Sequence, residues 1–121
     1  MDLVVDVYAE AGHTVLAVSG EVDVYTAHTL RGRLTELIAS GRHHLVVDLI
    51  EVDFIDSTGL GVLVGGLNKS IEAGGSLALV CQRASMLRLL EITGLDEVFV
   101  IHPTTADAVA DVQPPRGKKL S

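Results

Sequence analysis

The chain has 121 residues and a mass of 12.8 kDa, with 48% hydrophobic side chains, enough for one domain with a core and too little for two ordinary ones. Its formal net charge of −7 argues against a general nucleic-acid binder, which needs a basic face to displace counterions. The one cysteine, Cys81, excludes an internal disulfide framework and cannot alone build a zinc site.

Aromatic residues make up only 3% and there is no Trp, so the core is aliphatic, which suits a sheet covered by helices. The longest apolar stretches, such as residues 60–67, fall far short of the roughly 20 residues that cross a bilayer. The N-terminus lacks the basic-then-apolar pattern of a signal peptide. A soluble, cytoplasmic protein with no membrane partner is therefore expected. Residues 1–66 hold ten acidic and three basic side chains, whereas residues 67–121 hold six of each. The negative charge thus lies in the first part of the chain, either as a solvated surface or as a field that steers a basic partner.

In chain order, Leu3, Val5 and Val7 alternate with Asp2 and Asp6, the period of a strand with one covered face. Ala11-Gly12-His13 offers a turn, and residues 15–18 supply a second strand, most simply paired as an antiparallel hairpin. Residues 19–23 read as a polar break. From Thr26, a plausible cap, Ala27, Leu30, Leu34, Leu37 and Ile38 form a helical stripe ending before Gly41. Residues 45–50 read as a buried strand, followed by the alternating acidic and apolar segment 51–56. From Gly59, the residues Leu60, Leu63, Val64, Leu67 and Ile71 recur at helical spacing until Gly74-Gly75. A strand at 76–80, a helix from Ser85 to Gly94, a strand at 98–101 and a short helix at 105–112 complete the pattern. The expected fold is α/β: a mixed sheet of about five strands, an antiparallel hairpin first and parallel strands later, packed against about four helices. Residues 1–112 form the domain. The tail 113–121, with two consecutive prolines and no apolar period, is expected to be mobile.

The run Asp56-Ser57-Thr58-Gly59-Leu60-Gly61 sets two hydroxyls, a carboxylate and two glycines where a strand gives way to a helix. Ser57 or Thr58 is placed to cap that helix, and a hydroxyl there is equally placed to meet a partner. Gly59, Gly61, Gly65 and Gly66 make the helix intrinsically poor, at about 1 kcal/mol for each interior glycine. They are read as allowing close packing against a neighbouring helix or the sheet, with Gly59 and Gly61 alternatively letting a partner approach the first turn. Asp23 and Tyr25, before the first helix, border this loop if their strands are neighbours. Asp48, inside an otherwise apolar strand, requires a hydrogen-bonding partner. Cys81 reads as a small buried hydrophobe.

Catalytic patterns fail at this motif. A nucleophile elbow needs glycine where Ile55 stands, and the aspartic-protease pattern has one hydroxyl residue between Asp and Gly, not two. No glycine-rich phosphate loop or dinucleotide turn is present. His13, His28, His43, His44 and His102 match no metal-ligand spacing. A hydrolase using Ser57 would lack a candidate base.

Gly20-Glu21-Val22-Asp23, Val47-Asp48-Leu49, the block from Val52 to Gly61, and Ile92-Thr93-Gly94-Leu95 together resemble the bacterial anti-sigma factor antagonists, whose fold is the STAS domain. The resemblance covers about residues 3–112, and Asp23-Val24-Tyr25-Thr26-Ala27 resembles actinobacterial members in particular. It implies partner switching. The unmodified protein binds an anti-sigma factor that is also a serine kinase of the GHKL ATPase type, which frees a sigma factor. Phosphorylation breaks that binding, and a PP2C-type phosphatase restores it. By position the acceptor is Ser57, with Thr58 a lesser candidate. The partner-binding residues implied are Asp23, Tyr25, Asp56, Ser57, Thr58, Gly59, Leu60 and Gly61. No catalytic residue, metal or cofactor of its own is implied, since the kinase brings ATP and Mg²⁺. A ligand-sensing or scaffolding STAS module is the alternative.

Overall fold

The computed structural model describes residues 2–110. The end of the expected last helix at Val112 and the expected mobile tail 113–121 lie outside the described residues. Five strands, β1 (Leu3–Glu10), β2 (His13–Val22), β3 (His44–Ile55), β4 (Ser76–Val80) and β5 (Val100–His102), form one sheet in chain order. β1 and β2 are antiparallel, and every later neighbouring pair is parallel. The crossovers are α1 (Ala27–Ala39), α2 (Ser57–Glu72) and α3 (Ala84–Ile92), and α4 (Thr105–Ala110) follows the last strand. This is the mixed sheet with four helices expected from the alternation of apolar patterns.

The main core joins one face of the sheet to α1, α2 and α3 through Leu16, Val18, Leu30, Leu34, Leu63, Leu67, Met86 and Leu90, all buried. α4 covers the other face, where Ala108 and Val109 meet Val15, Val46 and Val80. Burial of these aliphatic side chains, each contributing about 1.5–3 kcal/mol, carries the fold. Cys81 sits within the main core, where desolvation raises its thiol pKa despite a backbone hydrogen bond from Arg83 and the charge of its guanidinium nearby. Asp48 finds its partners as required: one carboxylate oxygen accepts the Ile50 N–H at 3.0 Å and the other the Thr105 hydroxyl at 3.3 Å.

Three elements differ from the sequence-based expectation. Residues 19–22 are not a break: they continue β2, with Ser19 and Gly20 pairing Val4 and Leu3 on one side and Glu51 and Val52 on the other. Gly20 serves the irregular register rather than a turn, because its φ of +104° lets the Asp2 carbonyl approach where a side chain would stand. β3 likewise runs on to Ile55. Two register shifts against β2 move its core-facing residues from a spacing of two (Leu45, Val47, Leu49) to three (Val52, Ile55). The last strand begins at Val100, since Leu95–Glu97 forms a 3-10 turn entered through Gly94 at φ +75°.

Candidate functional site

β2 and β3 are parallel neighbours that end together, Val22 opposite Ile55. Asp23 and Asp56 therefore leave the sheet side by side, and the Asp56 N–H donates to the Val22 carbonyl at 3.0 Å. The strands that lead to Asp23 and to Ser57 are thus neighbours, the adjacency that the sequence left open.

The helix cap is Asp56, not Ser57 or Thr58. The Asp56 backbone is extended, and its carboxylate accepts the Gly59 N–H at 3.0 Å, the geometry by which a side chain satisfies an orphan donor of the first turn. Ser57 becomes the first helical residue. A carboxylate one position earlier fills the capping role, which leaves the Ser57 hydroxyl exposed and without a hydrogen bond to any described residue. Thr58 is half-buried beside it.

Gly59 supplies close packing. A Cβ there would stand 2.6 Å from Ile55 Cγ1, 2.7 Å from Val22 Cγ1 and 3.0 Å from the Val22 carbonyl oxygen. Gly66 packs in the same way against Leu34, with 3.0 Å to its Cδ1. Gly61 and Gly65 do not, since nothing lies within 4 Å of a Cβ at either. The packing account of the four glycines thus holds for two and fails for two. Leu60 is only 7% exposed and belongs to the core. Of the six-residue block, Ser57 and Gly61 are exposed, Asp56 and Thr58 half-buried, and Gly59 and Leu60 buried.

At the neighbouring junction the Asp23 carboxylate accepts the N–H groups of Tyr25 at 2.9 Å and Thr26 at 3.1 Å. Thr26 is not a side-chain cap. Its hydroxyl accepts the Asp23 N–H at 3.0 Å and donates to the Glu21 carbonyl at 2.7 Å, with the Asp23 carboxylate at 3.2 Å. Desolvation, the largest single influence, raises the Asp23 pKa, but the Tyr25 and Thr26 donors together outweigh it and hold the carboxyl below its ordinary value. The turn so fixed presents Val24 and Tyr25 outward, 62% and 82% exposed, and Phe54 at the end of β3 is 51% exposed. Sequence reasoning missed Val24 and Phe54 as surface residues. The exposed apolar Phe54 follows from the second register shift in β3, which no local pattern displays.

Asp53, beside Phe54, pairs with Arg83 at 3.4 Å, a surface contact worth at most about 1 kcal/mol. It ties the end of β3 to the start of α3. Among the described residues no group of three or more His, Cys, Asp or Glu is placed to hold a metal ion, and no helix is long and apolar enough to cross a membrane.

The STAS domain profile matches residues 4–108. The chain is 39% identical over 101 residues to the anti-sigma-B factor antagonist of Bacillus subtilis, spanning 84% of this chain and 92% of that one. It is 32% identical over 102 residues to the anti-sigma-F factor antagonist RsfB of Mycobacterium tuberculosis, spanning 84% and 83% of the two chains. The crystal structure of an anti-sigma factor antagonist from Mycobacterium paratuberculosis superposes with a TM-score of 0.84 at 32% identity, over 92% of this chain and 94% of that one. A five-stranded sheet with this order, a capped strand-to-helix junction and these similarities agree: the chain belongs to the STAS domain family, among its anti-sigma factor antagonists.

Proposed function

We propose that this chain is itself an anti-sigma factor antagonist switched at Ser57. Unmodified, it binds an anti-sigma factor that is also a GHKL-type serine kinase, and so releases a sigma factor in the cytoplasm. It acts as ligand and substrate, not as catalyst. In the kinase complex the Ser57 hydroxyl oxygen attacks the γ-phosphorus of ATP, ADP leaves, and the hydroxyl proton passes to the kinase or solvent. A PP2C-type phosphatase reverses the state when water displaces the serine oxygen and inorganic phosphate is released.

The observation that carries this reading is the exposed, uncommitted Ser57 hydroxyl at the first residue of α2, beside a carboxylate that already caps the helix. Because the hydroxyl holds nothing in place, a phosphate of about −1.5 to −2 charges can be added without breaking a native contact. Unbonded N–H groups of the first turn and the helix dipole favour the anion. Val24, Tyr25 and Phe54 supply exposed apolar area around it, of the aromatic kind that anchors interfaces. A dianion at this rim opposes burial against a partner. A loss of about 3 kcal/mol weakens binding roughly a hundredfold.

Incubation with the cognate kinase and ATP is expected to add one phosphate by intact mass, and Ser57→Ala to abolish it with an unchanged circular dichroism spectrum. Equal incorporation in that variant moves the acceptor elsewhere and overturns the assignment. Ser57→Asp should bind the kinase roughly a hundredfold more weakly in calorimetry, and binding as tight as wild type would refute repulsion at the interface.

A further inference from the structure

We infer that the groove between α1 and α2 is the seat of the phosphoryl group on Ser57, with Arg31 as its cationic partner; this rests on Ser57 being the acceptor. The groove is a cavity of about 200 Å³ whose lining includes Ser57 and Thr58 at one end, Arg31 and Thr35 on the α1 side, and Lys69 at the far end. No acidic side chain lines it, although the chain carries a net charge of −7. Neither the Arg31 nor the Lys69 side chain makes an ion pair or hydrogen bond with any described residue. Two uncommitted cations in one acid-free groove are suited to an anion.

The groove is open because Gly61 and Gly65 line it. With nothing within 4 Å of a Cβ at either position, packing does not call for glycine there, and each costs the helix about 1 kcal/mol. What their missing side chains leave is access from Ser57 along the groove toward α1.

Position along the helices selects Arg31. Leu34 lies against Gly66, which fixes the level of α1 beside α2, and both helices connect parallel strands and so run the same way. Arg31, three residues before Leu34, lies about 4.5 Å nearer the end that carries Ser57. Lys69 follows Ser57 by twelve residues, about 18 Å of helix, beyond a direct contact. Arg31 is exposed, so its guanidinium is free to turn toward the phosphate and bind it with two parallel N–H donors. The modification thus fills the groove and anchors itself, rather than projecting into solvent.

The test uses full-length protein with phosphoserine installed at position 57 during translation, so that recognition by a kinase does not enter, and follows its second ionisation by ³¹P NMR. Asp56 and Asp23 face the same end, act against ionisation and are common to all variants. Arg31→Gln is expected to raise the phosphate pKa by roughly half a unit from its wild-type value, while Lys69→Gln leaves it in place. Identical titrations of wild type and Arg31→Gln would overturn the inference, as would an equal rise in Lys69→Gln, which would indicate diffuse charge rather than a contact. Failure of the kinase to modify Ser57 is a separate result and would strike the proposed function instead.

Discussion

Two junctions of the same design sit side by side at one end of the sheet. In each, a strand ends in a buried aliphatic residue, Val22 or Ile55, an aspartate follows, and a helix begins within a few residues. They differ in how much the aspartate holds. Asp23 gathers two backbone N–H donors, with a threonine hydroxyl at 3.2 Å, and its turn is closed by the Thr26 bond to Glu21. Asp56 accepts a single N–H, from Gly59, and the hydroxyl next to it is left free. One junction is saturated and presents fixed apolar side chains; the other is spare and presents an exposed hydroxyl. The proposed modification of Ser57 falls at the spare one, where the added dianion breaks no side-chain hydrogen bond among the described residues.

The comparison is most sharply broken at Gly59. A methyl group there would enter the space of both Val22 and Ile55, at 2.7 and 2.6 Å from their Cγ1 atoms, and would prise α2 from the ends of both strands. Gly59→Ala is expected to lose about 2–3 kcal/mol in urea unfolding, with recognition by the proposed kinase weakened because Ser57 moves with the helix. A loss below about 0.5 kcal/mol would mean that the junction is not packed as tightly as the distances state.

How much of this was legible in the chain depends on the range of the interaction. Leu30, Leu34, Leu63 and Leu67 declare their helices because a stripe is a local pattern, and all four are buried. The glycine-flanked block from Asp56 to Gly61 marks the junction for the same reason. What stayed hidden depends on partners distant in sequence. The sequence alone offers a hydroxyl as the cap, since Ser, Thr and Asp are near equals there, and only the backbone shows that Asp56 takes Gly59. Residues 19–22 read as a break, for their strand character comes from ladders on both sides. Nothing local marks Arg31 and Lys69, because the groove they share exists only once α1 lies on α2.

The aspartates themselves come next in size. Asp56→Ala removes one capping bond and should cost about 1 kcal/mol, near 4 °C in melting temperature for a chain of this length. Asp23→Ala strips both backbone N–H groups of their acceptor and should lower the melting temperature by roughly twice as much. Equal losses at the two positions would dissolve the distinction between saturated and spare. Gly61→Ala should act in the opposite direction, stabilising by about 0.5–1 kcal/mol, since a Cβ there meets nothing within 4 Å. A destabilised Gly61→Ala would show that α2 lies closer to a neighbour than the open groove allows.

The smallest effect distinguishes charge from shape at Asp23. Its carboxyl pKa is held below the ordinary value of 3.8 by the Tyr25 and Thr26 donors, against a desolvation that raises it. The unfolded chain therefore takes up the proton first as pH falls. Stability from this group is complete above the ordinary value and is lost as pH falls through the lowered one. Asp23→Asn keeps a side-chain oxygen for the two N–H groups but cannot ionise. Its melting temperature should lie below wild type at pH 6, and the gap should close as pH drops through the range beneath 3.8. A gap that stays constant through that range would locate the strength of the saturated junction in its geometry alone, and the negative charge of Asp23 would then be of use only to a partner.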